Sequence, residues 1–191
     1  MLSAQPRQGP SSVLHFFAGM AAVALLYVLV FKLNAWLFSV AKVTDHISWI
    51  FLPAAIRMLA VMLLGWAGVA GLYMGSLSLL GSMFEFDPVG AFIVAGLSSV
   101  PCLIAARVVQ HLFRVRADLA GMTGRQLLIF GVAGGFLSSM GHTLYFAYAA
   151  QSLKPVEGFV PMFVGDTLGT FIVLYLGALV INRLLPRPKE D

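Results

Sequence analysis

Long apolar runs separated by short polar clusters make up nearly the whole chain. The first run extends from about Val13 to Phe31, after a polar start containing Arg7, Gly9 and Pro10. A second stretch, Ile47 to Leu80, would be about 51 Å long as one helix, far beyond the roughly 30 Å of a bilayer core. The cluster Gly65-Trp66-Ala67-Gly68 near its middle suits a tight turn, so the pattern predicts two short helices, about 47–64 and 67–81. The polar loop Glu85-Phe86-Asp87-Pro88 precedes a fourth run, about 89–109. A basic linker and a loop with Lys154, Pro155 and Glu157 delimit two more, about 126–150 and 159–185.

Composition fixes what solvent these runs face. Of 191 residues, 60% are hydrophobic and 10% charged, too little polar surface to coat a globule in water. The expected fold is all-α: a polytopic integral membrane helix bundle of about six transmembrane helices. A cytoplasmic tail (1–12), a single transmembrane domain (13–185) and a second tail (186–191) follow from these boundaries. A secretory signal resembles the first run, with Ser39-Val40-Ala41 as its cleavage site. Its apolar region should end after about 7–15 residues, whereas this one continues through Trp36, Leu37 and Phe38. A retained helix is expected. The single cysteine excludes an internal disulfide.

Cytoplasmic flanks of membrane helices are enriched in Lys and Arg. With six spans and both termini inside, 8 of the 12 basic residues face the cytoplasm: Arg7, Arg107, Arg114, Arg116, Arg125, Arg183, Arg187 and Lys189. Joining 47–80 into one helix would place the arginine linker opposite the amino terminus. The expected location is a bacterial cytoplasmic (inner) membrane. No basic run interleaved with exposed aromatics suggests nucleic acid.

Gly71–Gly75, Gly131–Gly135 and Gly165–Gly169 repeat a small-xxx-small spacing that lets helix backbones approach closely in lipid. Packing within the molecule is the plain expectation; a homodimer seam is the alternative. Pro53, Pro101 and Pro161 should start or kink helices, freeing carbonyls to line a cavity.

Arg57 and Asp166 stand inside otherwise apolar runs, where a charge must face a partner or a wet cavity. In the six-span arrangement Arg57 lies about 15 Å from the outer face, Asp166 about 10 Å and His142 about 12 Å. All three therefore share one level of the outer leaflet. One reading is a salt bridge that ties two helices together. The other is a polar pocket in which Arg57, Asp166 and His142 meet a small ligand, with Trp49, Tyr145, Tyr148 and Thr167 nearby. Pro53, Gly165 and Gly169 would be structural.

Enzyme chemistry is not expected, since no HExxH, GxSxG, Walker loop or metal-spaced Cys/His cluster is present. No cofactor or metal is expected. The Arg107–Arg125 linker, with Val108, Val109, Leu112, Phe113 and Leu119 between its arginines, reads as an extension of the fourth helix lying at the lipid headgroups. It is alternatively a dock for a membrane or cytoplasmic partner.

Trp49-Ile-Phe-Leu-Pro53-Ala-Ala, followed by Leu63-Leu-Gly65 and a glycine-spaced helix, resembles the start of the first-type membrane-associated sensor domain of bacterial signalling proteins. Gly165-Asp166-Thr167-Leu168-Gly169 resembles the Gly-Asp-x-x-Gly segment near that domain's later helices. Together these cover about a quarter of the chain. The resemblance implies a small-molecule site involving Pro53 and Asp166, and a sensor that signals through kinase or cyclic-dinucleotide domains. This chain departs in having fewer helices and a charge at Arg57, and its output would need a separate partner. The six spans and glycine-rich helices are also similar to the substrate-capture subunits of energy-coupling-factor importers. Three functions stay open: a sensory or ligand-binding module, a small transporter or importer subunit, and a structural subunit of a membrane complex.

Overall fold

A computed structural model describes residues 10–44, 47–80, 88–114, 123–149 and 154–184. The expected tails (Arg7, and 186–191), the Glu85–Asp87 loop and Arg116 lie outside the described residues. The described chain is an all-α bundle of six helices: α1 (Pro10–Leu37), α2 (Pro53–Leu64), α3 (Trp66–Leu80), α4 (Pro88–Phe113), α5 (Gly124–Leu144) and α6 (Pro155–Leu184). Four segments are long and apolar enough to cross a membrane, Ser12–Leu37, Pro88–Phe113, Gly124–Tyr148 and Pro155–Val180. Helices α2 and α3, with 12 and 15 residues, are each shorter than the roughly 20 that a full crossing takes.

The glycine spacings govern how the helices meet. A Cβ on Gly71 would stand 2.5 Å from the Met20 carbonyl, and one on Gly75 2.9 Å from that of Ala24, so α3 runs parallel to α1 in close backbone contact. Gly131 meets Thr170 and Gly135 meets Asp166, which sets α5 antiparallel to α6. Both pairs pack helix on helix within the molecule, as expected. At Gly65 the backbone takes φ 54°, which a side chain would strain, and the chain folds back so that Gly68 lies on the Ala60 backbone. The turn expected at 65–68 is thus present.

The second expected span needs correction. Residues 47–64 are not one helix. Lys42–Thr44 (β1) and Ile47–Ser48 (β2) pair antiparallel, the chain continues without helix to Leu52, and α2 begins only at Pro53. Proline suits a first helical position because it lacks the N–H that would have no intrahelical partner there. The 48–52 segment lies along α6. The Ser48 carbonyl sits on Gly165 and the Phe51 carbonyl on Gly169, with no room for a Cβ at either glycine. Phe51 N–H also donates to the Gly165 carbonyl at 3.1 Å. These glycines are about 15 and 21 Å along α6 from Pro155. Gly165–Gly169 therefore receives an extended segment rather than another helix.

Asn34 of α1 fixes that segment from the other side. Its amide nitrogen donates to the Ile50 carbonyl at 3.2 Å, and its oxygen accepts from Leu52 N–H at 2.8 Å. Both backbone groups are thereby satisfied where water is scarce.

Other boundaries shift modestly. Helix α5 starts at a Thr123–Gln126 capping box, a pattern visible in the sequence. It ends in a π-helical turn over Tyr145–Ala149. Helix α4 runs on to Phe113, carrying Arg107, Val108, Val109 and Leu112, so the first part of the basic linker does extend it. Pro101 and Pro161 lie inside α4 and α6.

Polar groups share the interior with an apolar core, and the outer surface is apolar. Leu14, Leu29, Trp36, Phe92, Ile104, Tyr175 and Val180 are exposed, whereas Arg57, Ser98, Ser138, His142 and Asp166 are buried. An apolar exterior with the charged groups kept inside is what lipid as solvent selects.

Candidate functional site

Arg57 and Asp166 stand 109 residues apart in sequence and meet at 2.6 Å, Nη2 donating to Oδ2. Arg57 lies on α2 one turn below Pro53. Asp166 sits between Gly165 and Gly169, so the descending segment brings Arg57 alongside it. Nη1 of Arg57 donates to Ser138 Oγ on α5 at 2.9 Å, and the guanidinium stands 5.2 Å from the centre of the Phe51 ring. A cation on an aromatic face gains electrostatically, more so when desolvated. The Arg57 Nε is buried without a hydrogen-bond partner.

His142, one turn along α5 from Ser138, completes the group. Its Nδ1 is 2.8 Å from the Ser138 carbonyl, which can only accept, so Nδ1 carries the proton. In the neutral ring Nε2 is then an acceptor, 3.4 Å from Ser98 Oγ. The Tyr27 hydroxyl lies beside the hydroxyls of Ser76 and Ser98. The level shared by Arg57, Asp166 and His142 is thus a real neighbourhood.

These groups border a cavity of about 650 Å³, part of it open to the surroundings, in which the space open to a water's centre is about 70 Å³. Its polar lining is Arg57, Asp166, His142, Tyr27 and five serines (48, 76, 98, 138 and 139). Phe31, Phe51, Phe146 and Met162 supply apolar wall. Mixed walls of this kind, with a few placed polar groups, suit a small ligand.

The serines behave differently from one another. Ser98 and Ser99 donate to the carbonyls of Val94 and Ala95 in their own helix, the usual resolution for a mid-helix hydroxyl in apolar surroundings. Ser139 does not; its Oγ is buried and has no partner although the residue lines the cavity. Arg57 and Ser139, each with one orphaned polar atom, both line this cavity.

Several expected neighbours lie elsewhere. Trp49 is 43% exposed and off the cavity wall, held through its backbone N–H to the Ala41 carbonyl. Tyr145 packs at the rim of a small cluster formed by Ala91, Val94, Ala95 and Phe146, and Tyr148 is exposed. Thr167 points toward Gly135 across the α5–α6 contact, with its hydroxyl unpartnered there. Pro53 starts α2 at the end of the descending segment, and Gly165 and Gly169 receive its backbone. Sequence reasoning overlooked Asn34, Tyr27, Ser76 and the pairs Ser98-Ser99 and Ser138-Ser139. Two serine pairs in mid-span, each near glycine, were the available signal.

Ser98 faces His142, but its hydroxyl hydrogen is given to Val94, and its position inside α4 leaves no free backbone N–H to hold an oxyanion. Among the described residues, no group of three or more His, Cys, Asp or Glu could hold a metal. No protein-family model matches the chain, and no curated protein or solved structure shows significant similarity to it.

Proposed function

We propose that this chain is a six-span protein of the bacterial cytoplasmic membrane, both termini inside, that binds a small polar molecule in the serine-lined cavity without transforming it. The observation that carries this reading is the polar-lined cavity inside an apolar bundle, two of whose lining residues, Arg57 and Ser139, each hold an orphaned polar atom. Buried polar groups are almost always satisfied, and a bound solute with a donor and an acceptor would satisfy both. Asp166 already neutralises Arg57, so the cavity presents hydroxyls without net charge. That favours an uncharged hydrogen-bonding solute, such as a polyol or amide, over an organic anion.

The resemblance to membrane-associated sensor domains favours a sensory role, with output through a separate partner at the Arg107–Arg125 linker. A second reading, a small transporter, draws on the descending 48–52 segment. Irregular backbone at membrane depth is characteristic of transporters whose broken helices line a site.

Thermal stability of the purified protein in detergent tests binding. Ligand at 100 times its Kd stabilises by about 2.7 kcal/mol. Polyols and amides should raise Tm more than amino acids, organic acids or vitamins, and Ser139→Ala should remove the shift. A panel with no effect on Tm at millimolar concentrations would refute ligand binding.

A further inference from the structure

The Arg57–Asp166 pair has space on both sides. Beyond the cavity is a second, smaller void of about 10 Å³, near the size of one water, and both Arg57 and Asp166 line it as well. Its other walls include Met58, Cys102, Phe130, Gly134 and Thr170.

Chain direction places this void on the far side of the pair from β1 and β2. On α4 the cavity is lined by Val94 and Ser98, and the void by Cys102, one turn further on. On α6 the cavity is lined by Met162 and the void by Thr170, with Asp166 between them and touching both. On α5, which runs the opposite way, Ser138 and His142 face the cavity while Phe130, Gly131 and Gly134 face the void. Helices α4, α5 and α6 agree on this order, while on α2 the void also reaches back beside the pair to Ala54. Below the void, Met58, Val61, Val109 and Phe130 belong to the closed apolar core.

We propose that the Arg57–Asp166 pair is the closed gate of a solute path through the bundle, continuing from the cavity into this void, so that the protein moves its solute across the membrane. The inference rests on the cavity being a solute site, and it decides between holding a solute and passing it. Two features suit a gate. The pair joins α2, a helix of 12 residues that starts within the bundle, to α6, so separating it needs movement of a short element only. The α5 surface opposite Asp166 and Thr170 is formed by Gly131 and Gly135, which give little side-chain resistance to displacement of α6. Met58 and Phe130 are the second barrier, so the structure is closed toward the other end.

Thiol accessibility tests the gate without knowledge of the solute. Cys102 is the chain's single cysteine and stands beneath the pair. Methanethiosulfonate ethyltrimethylammonium, whose fixed charge keeps it from crossing lipid, is applied from each side of the membrane in turn, in right-side-out and inverted vesicles. Ser98→Cys in a Cys102→Ala background places a thiol one turn higher, in the cavity. From the β1–β2 side, that thiol should react at least ten times faster than native Cys102. The double variant Arg57→Ala/Asp166→Ala, which leaves no orphan charge, should raise Cys102 reactivity from that side at least tenfold. Equal reactivity of the two thiols, or an unreactive thiol at 98, would overturn the gate even if the double variant fails to fold. So would a folded double variant, checked by Tm and gel filtration, whose Cys102 stays unreactive. A Tm shift with solute combined with any of these results would leave binding intact and reject passage alone.

Discussion

The Phe51 carbonyl occupies the space where a side chain at Gly169 would begin. Through that contact an extended segment lies flush against α6 deep in the bundle, and Arg57, six residues later, reaches Asp166. Gly169→Ala should therefore displace the segment and destabilise the protein by about 1–3 kcal/mol. Gly177→Ala, on the same helix with open space around it, should change little. Unfolding in mixed micelles measures both.

Arg57→Ala should cost about 3–5 kcal/mol, because it leaves the Asp166 carboxylate buried without its partner. Replacing both residues by apolar ones, Arg57→Met with Asp166→Leu, should recover most of that loss. A double-mutant cycle on unfolding free energies gives the coupling, and additive effects would show that the pair contributes nothing jointly.

Asn34 makes one donor and one acceptor contact with the same segment. Asn34→Leu should lose about 1–3 kcal/mol through two unsatisfied backbone groups. Asn34→Asp keeps an acceptor for Leu52 N–H but sets a buried carboxylate oxygen against the Ile50 carbonyl, so its loss should be at least as large. Thermal unfolding of the two variants side by side checks the order.

Ser139→Ala removes a hydroxyl that makes no bond within the protein, so stability without solute should be unchanged or slightly higher. Ser138→Ala deprives Arg57 of an acceptor and should lower Tm. Opposite outcomes for these adjacent serines would be seen in one melting experiment.

A six-span arrangement makes a topological prediction. A thiol introduced at Glu85 should be labelled from the side opposite a reporter fused before Met1, whereas five spans, with 47–80 as a single crossing, place both on the same side. Labelling of position 85 from the amino-terminal side would reject six spans.

The apolar runs and the two intramembrane charges were legible in the chain because lipid imposes strict conditions. A crossing needs about 20 apolar residues, and a charge within one needs a partner. Arg57, Asp166 and His142 could be set at one level by counting helical rise, and they do surround one cavity. The break at 47–52 was not legible, since a short apolar run has the same composition whether it forms a buried extended segment or a helix. Trp49, Tyr145 and Thr167 have suitable chemistry at nearly the right depth, but rotation about each element directs them elsewhere.

The order of residues already sets the solvent: a helical chain with greasy outer faces, and opposite charges obliged to find one another. Packing in three dimensions is what brings five serines and Tyr27 to them, has Asn34 hold an irregular segment at depth, and sets the charges between a cavity and a void. The reason is physical. Desolvation acts on each residue alone and can be read along the chain. A serine can satisfy itself on its own helix or turn to a cavity, and only the packing of neighbouring helices selects between the two.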